Sequence, residues 1–358
     1  MSNKIKVLIV DDSALIRQVL SKIIDSDPEL EVVGTAVDPI AARDKIKTLR
    51  PDVLTLDIEM PRMDGITFLR NLMRLHPMPV VMISTLTSAG ADITLEALEL
   101  GAVDFVSKPK LDVSEQLQSY SEEIIEKVKT AASAKLRGKS SDAALKVKEK
   151  HSVDAVIPKR KLTSGYKTTE KFFAIGASTG GTEAIKEVLM RMPADSPGIV
   201  ITQHIPEAFS GPFAKRMNGV TKMTVHHAID GQQILPGNVY IAPGSHHLIV
   251  EKSGSRFVCR LNDGPLVNRH KPSVDVLFRS VLQAAGSNVI GVMLTGMGAD
   301  GAQGMKEMHD AGSVTIAQDE ESSVVWGMPG SAVEMGGVDH IVSLEKIADK
   351  MLDALKKT

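Results

Sequence analysis

Residues 172–189, FFAIGASTGGTEAIKEVL, join a short apolar run, a hinge of small residues and the start of a helical pattern. The opening run reads as a buried strand. Ala184, Ile185, Val188 and Leu189 recur at helical spacing. Between the two, Gly176, Gly180 and Gly181 permit a sharp turn, and Ser178 stands in it within a G-x-S-x-G pattern that lifts a serine clear of a sheet. A strand that runs through a glycine turn into a helix predicts an α/β domain.

The same rhythm recurs downstream in GIVITQH, NVYIAP and NVIGVMLTGMGAD. His204 follows the run 199–201 and Asp300 follows the run 289–294, so one mostly parallel sheet brings Ser178, His204 and Asp300 to a shared edge. These residue types suit nucleophilic chemistry. A serine hydroxyl needs a base, a neutral imidazole is the usual one near neutral pH, and a buried carboxylate holds the imidazole's tautomer. The backbone N–H groups after Ser178 lie at a helix N-terminus that can hold an oxyanion, and the glycine-rich TGMGADG, residues 295–301, offers another donor. A bare G-x-S-x-G also occurs in tight turns and phosphate-cradling loops. A dinucleotide fingerprint needs a glycine where Ser178 stands, and the order Ser, His, Asp differs from that of the α/β-hydrolases.

Other polar residues compete for roles. His226 and His227 lie in a strand-like run, and His246 and His247 form a doublet whose side chains point to opposite faces, a poor arrangement for joint metal ligation. His270, between Arg269 and Lys271, reads as a substrate-side group, because cationic neighbours lower an imidazole's basicity. Asp230 and Asp263 read as turn residues and Asp275 as a helix position. Cys259, in the alternating run RFVCRL, reads as a strand residue rather than a nucleophile.

Toward the N-terminus, KVLIV, EVVGTAV, DVLTLDI, VVMIST and VDFVS alternate with helical stretches, predicting a doubly wound parallel sheet. Asp11, Asp12, Asp57, Thr85 and Lys108 end these runs, where such sheets bind ligands. Three clustered carboxylates repel one another, and a hard divalent cation, magnesium, relieves that. Asp57 is then a nucleophile able to form an aspartyl phosphate, with Lys108 and Thr85 placed to hold phosphoryl oxygens.

A chain of 358 residues predicts two domains. A net charge of −2 gives no global reason to bind nucleic acid. No apolar run reaches the roughly 18 to 20 residues a membrane span requires, and a single cysteine fits a cytoplasmic, disulfide-free protein. Residues 127–171 hold thirteen Lys/Arg against four Asp/Glu and read as a solvated seam. The expected division is a domain over 1–125, a basic flexible linker over 126–170 and a second domain over 171–355. With no helix-turn-helix and only Tyr166 among its charges before Phe172, the seam is not expected to bind nucleic acid.

The series IVDDS, LDIEMPRMDG, IST and SKP resembles the receiver domain of bacterial response regulators. That resemblance implies that Asp57 is the phospho-acceptor, that Asp12 and Asp57 with the Glu59 carbonyl hold magnesium, and that Thr85 and Phe105 form a switch pair. AIGASTGG, TQHIP, YIAPG, HKPSVD, LTGMGADG and VVWGMP are similar to the catalytic domain of the chemotaxis protein-glutamate methylesterases. This second resemblance implies a triad of Ser178, His204 and Asp300, with Thr179 and Met297 near the oxyanion. It further implies hydrolysis of glutamyl methyl esters on chemoreceptors without a cofactor, glutamine deamidation as a second activity, a histidine kinase as phosphodonor, and a receiver that gates the catalytic edge.

Overall fold

The computed structural model describes residues 4–60, 63–84, 88–108, 116–134, 152–159 and 171–356. The chain divides into two compact units, Met1–Asp142 and Ala143–Thr358.

In the first unit, β1 (Ile5–Val10), β2 (Leu30–Ala36), β3 (Val53–Asp57), β4 (Val80–Ser84) and β5 (Asp104–Ser107) form one sheet in the order β2-β1-β3-β4-β5, with every pairing parallel. Helices α1 (Ala14–Asp25), α2 (Pro39–Leu49), α3 (Gly65–Leu75), α4 (Ser88–Glu99) and α5 (Gln116–Ser133) alternate with the strands. Side-chain oxygens start three of them: Ser13, Asp38 and Asp64 accept from the N–H groups of Ile16, Ala41 and Thr67. On α3, buried Ile66, Phe68, Leu69 and Leu72 recur at helical spacing and form the core-facing stripe. Strands β3 and β4 are buried along their whole length, as expected where helices cover both faces.

Helix α5 overruns the expected domain boundary at residue 125. Two lysines counted with the basic seam belong to it. Lys127 pairs with Asp104 at 3.3 Å and lies over the Phe105 ring, and Lys129 pairs with Asp27 at 2.8 Å. Glu123, one turn back on α5, also pairs with Lys127 at 3.2 Å, whereas Asp104 and Asp27 are distant in sequence, so a charge count confined to the seam misses the pairing.

The second unit holds a seven-stranded, entirely parallel sheet built from β6 (Phe172–Ala177), β7 (Ile199–Gln203), β8 (Thr224–His227), β9 (Asn238–Ile241), β12 (Val289–Met293), β13 (Thr315–Gln318) and β14 (His340–Val342). Its order is β14-β13-β12-β6-β7-β9-β8. Between β9 and β12 the chain makes an antiparallel hairpin, β10 (His247–Ser253) with β11 (Arg256–Asn262), followed by α8 (Val274–Ala285). The other helices are α6 (Gly181–Arg191), α7 (Glu207–Val220), α9 (Ala302–Asp310), α10 (Gly327–Glu334) and α11 (Leu344–Lys356). The hairpin closes one core: Phe257 and Cys259 pack with Phe172, Tyr240, Leu277 and Phe278. Burial pushes the Cys259 thiol up to about 12, which leaves it an inert core side chain.

Part of the expected linker also belongs to this unit. Val153 and Ile157 pack on Val267 and Val276, and the buried Arg279 binds Asp154 and Glu307 at 2.5 Å each while donating to the Ile157 carbonyl at 3.1 Å. Of the stretch 126–170, residues 126–133 thus lie in α5, and Val153 and Ile157 pack on the second unit.

Candidate active site

Parallel register places the nucleophile and the base side by side. Ala177 is paired with Gln203, so Ser178 and His204 are the first residues beyond the ends of neighbouring strands. The turn is fixed by its backbone: Ser178 N–H donates to the Thr295 carbonyl at 3.1 Å, and the Ser178 carbonyl accepts from Gly181 N–H and from Gln203 Nε2 at 2.7 and 2.9 Å. Two glycines are dictated by space and conformation. Gly180 has φ +75°, and a Cβ there would lie 2.7 Å from Val324. Gly176 has no room for a Cβ against Val274, which lets the first turn of α8 close on the end of β6.

The three sequence-predicted groups form a continuous row. Ser178 Oγ lies 3.2 Å from His204 Nδ1, and His204 Nε2 lies 2.8 Å from Asp300 Oδ2. With Nε2–H donating to the carboxylate, Nδ1 is left as acceptor for the serine proton. Asp300 is buried and richly solvated by donors. Oδ2 accepts from Val274 N–H at 2.6 Å; Oδ1 accepts from Ser273 Oγ and Asn268 Nδ2 at 2.8 Å each. Burial alone would raise its pKa, but the His204 hydrogen bond and charge, with His270 and Asn268, hold it well below the usual carboxylate range. The carboxylate stays ionised, as its orienting role requires.

His270 lies against the base: its ring stacks on His204 with centroids 3.7 Å apart and an interplanar angle of 10°. Thr179 is buried at the start of the turn, and Met297 is half-buried in the glycine-rich loop between β12 and α9. Asn268, Ser273 and Gln203 escaped the sequence reading, which took Asp275 only as a helix position and His247 only as half of a doublet, with no role at the site. His247, fully buried, accepts from Ser273 N–H at 3.1 Å and donates to the Pro265 carbonyl at 2.9 Å, which keeps it neutral and steadies the serine that binds Asp300. Burial lowers its pKa accordingly. A legible signal existed in the Ser273-Val-Asp step before an apolar helical run, the mark of a helix N-terminus.

In the first unit, Asp11, Asp12 and Asp57 present carboxylate oxygens within 4.8 Å of one another at the carboxyl edge of the sheet. Lys108 Nζ is 2.7 Å from Asp57 and 3.5 Å from Asp11. Burial pushes Asp57 up to about 6 despite Lys108, and Asp11 is raised for the same reason. Asp11 Oδ2 is buried and faces only the Lys108 ammonium at 3.5 Å, too long and poorly aimed for a full hydrogen bond, so the three carboxylates fit a hard divalent cation. Glu59 is exposed, and its N–H donates to Asp57 Oδ1 at 3.3 Å. Phe105 is buried, and Thr85 lies outside the described residues.

An acidic cluster with a lysine on one parallel-sheet unit and a hydrogen-bonded Ser–His–Asp row on the other are the arrangement expected of a response regulator whose output is a serine hydrolase on an α/β scaffold. Residues 7–121 match the response regulator receiver domain and residues 173–351 match CheB methylesterase. A Hydrogenovibrio crunogenus protein named protein-glutamate methylesterase/protein-glutamine glutaminase is 59% identical over 99% of this chain and 100% of its own length. A Geobacter metallireducens protein named protein-glutamate methylesterase/protein-glutamine glutaminase 1 is 55% identical over 98% of this chain and 96% of its own. The crystal structure of the Thermotoga maritima CheB methylesterase catalytic domain superimposes with a TM-score of 0.51 at 35% identity, covering 51% of this chain and 98% of that one. The chain belongs to the CheB methylesterase family, in the form that carries an N-terminal receiver domain. Among the described residues no helix is long and apolar enough to cross a membrane.

Proposed function

We propose that this chain acts in the cytoplasm to remove methyl esters from glutamate side chains of a chemoreceptor, releasing methanol. It deamidates receptor glutamines by the same steps, and the phosphorylation state of Asp57 controls both activities. The observation that carries the reading is the unbroken hydrogen-bonded row from Ser178 through His204 to Asp300.

Ser178 Oγ attacks the γ-carbonyl as His204 Nδ1 takes its proton, and Asp300 stabilises the imidazolium through Nε2–H. The N–H groups of Thr179 and Met297 hold the tetrahedral oxyanion. His204 then returns the proton to the departing methoxy oxygen, methanol leaves, and an acyl-enzyme remains on Ser178. Water, deprotonated by His204, cleaves that ester and regenerates the serine, leaving a glutamate carboxylate. With a glutamine substrate the departing group is ammonia. His270, stacked on the base, lines the substrate side.

In the receiver, Asp11, Asp12 and Asp57 with the Glu59 carbonyl would hold Mg2+, which neutralises charge during phosphoryl transfer. Asp57 accepts the phosphoryl group from a histidine kinase, Lys108 holds a phosphoryl oxygen, and Thr85 with Phe105 forms the switch pair.

Release of labelled methanol from methylated receptor, with and without a phosphodonor, tests the reading. Ser178→Ala is expected to lose at least ~10³-fold in turnover while folding normally. Substantial residual hydrolysis would refute the nucleophile assignment. Deleting residues 1–134, through the end of α5, should raise basal activity if the unphosphorylated receiver inhibits; an unchanged rate would rule that out.

A further inference from the structure

The hydrogen-bonded row does not stop at Asp300. Asn268 Nδ2, which donates to Asp300 Oδ1 at 2.8 Å, also donates to Asp275 Oδ2 at 2.6 Å. Asp275 Oδ1 in turn accepts from Gly304 N–H at 2.7 Å. Two helices are thereby capped crosswise. Asp300, just ahead of α9, takes the Val274 N–H in the first turn of α8. Asp275, in that first turn, takes an N–H in the first turn of α9, whose own N-cap residue is Gly301 with no side chain to use. Asn268 bridges the two carboxylates with φ 51°, in the left-handed region.

We propose that Asn268 and Asp275 are positioning residues of the triad, acting through Asp300: together they fix Oδ1, so that Oδ2 is presented to His204. This rests on the reading of Ser178, His204 and Asp300 as the working triad.

A cap alone does not explain the arrangement. A serine or threonine would cap α9 without placing a second buried acid beside Asp300, and two like charges at such a site oppose each other's ionisation. Burial and the charge of Asp300 push Asp275 up to about 7 while Asp300 is held low, a division of roles between paired acids. The groups around Asp275 are Asp300 and, through it, His204 and His270, with Asn268 from the 268–270 loop. Arg279, one turn further along α8, binds Glu307 of α9 and Asp154. The Asn268 amide is thus the side-chain link between the two acids, beside a longer contact from the Asp275 N–H to Asp300 Oδ1 at 3.4 Å.

The test measures how fast a fluorophosphonate labels Ser178, and to what stoichiometry, in the full chain for wild type, Asn268→Ala, Asp275→Asn and the double variant. Receptor demethylation kinetics are measured alongside. In Asp275→Asn a second amide faces the Asn268 amide, and turning it over breaks the Gly304 bond, so one hydrogen bond is lost either way. Each single variant should label ~10- to 100-fold more slowly yet reach full stoichiometry, with KM for methylated receptor within about twofold of wild type. The double variant should be no more than about threefold slower than the slower single one, because both changes cut the same link. Wild-type labelling rates, losses that multiply in the double variant, or reduced stoichiometry with an unchanged rate per labelled site would each overturn the proposal, the last by showing a purely structural role. If wild type labels rapidly but releases no methanol from receptor, the esterase reading fails while the labelling rates still decide the positioning roles.

Discussion

Replacing Asp57 with asparagine should make the receiver more stable, although it removes the partner of Lys108. Asp57 is buried, and its pKa rises from 3.8 to about 6 even with Lys108 at 2.7 Å. Between those values the folded state keeps a proton that the unfolded chain has released, so stability falls as pH climbs through that window and the deficit is complete above it. At about 1.4 kcal/mol per pH unit, carrying Asp57 as a carboxylate costs about 3 kcal/mol at pH 7.5 and about 1 kcal/mol at pH 4.5. Asp57→Asn removes that charge and also relieves Asp11, whose pKa is raised too. Amide hydrogen exchange at Leu54 and Leu56 of β3, compared between variant and wild type at each pH in chelator, reads the difference directly. Protection should rise roughly 100-fold at pH 7.5 and only about fivefold at pH 4.5, and saturating Mg2+ should abolish the advantage by stabilising the wild type alone. Equal exchange at pH 7.5, or a gain independent of pH, would show that the buried acids are not opposed in this way.

Gly180→Ala forces a Cβ into the left-handed region and to 2.7 Å from Val324, so the second unit should lose about 2 to 4 kcal/mol in urea and turnover should fall as the Ser178 turn shifts. Gly219→Ala, in α7 with open space at its Cβ, should instead gain roughly 0.5 to 1 kcal/mol; similar losses in both would discount the steric argument. Arg279→Ala strips the nearly buried Glu307 of its main partner and releases Asp154 and the Ile157 carbonyl. About 3 kcal/mol should be lost, with faster proteolytic cleavage within residues 152–159, and a loss below about 1 kcal/mol would contradict the assigned role.

Legibility in the sequence followed burial. β3, β4, β6, β7 and β12 are buried along their whole length, as is β1 from Val7 on, and they appear as predominantly apolar runs, so the polar residue ending each run could be read as a site residue. β13, TIAQ, and β14, HIV, are too short and too polar to stand out, and their places come from pairing with β12 and with each other. The acids and amides that hold Asp300 were illegible for another reason. Asn268, Ser273 and Val274 lie 26 to 32 residues from Asp300 in the chain, and only the approach of α8 to the ends of β6 and β12 unites them. Which imidazole nitrogen faces the serine is likewise fixed by that tertiary placement. Lys127 and Lys129 read as solvated because Asp104 and Asp27 come from other parts of the chain and Glu123 lies just outside the basic seam.

The strands that deliver Ser178, His204 and Asp300 are β6, β7 and β12, three adjacent members at the centre of the seven-stranded sheet. Each is buried along its whole length, whereas the sheet's margins are the short β14 and β8. Fraying begins at margins and loops, so partial openings leave the reacting groups in register. Denaturation of the second unit should thus extinguish catalysis in one step with the collapse of its core, and loss of turnover becomes an internal gauge of cooperative unfolding. Natural or engineered changes along the outer strands have room to accumulate before that gauge moves.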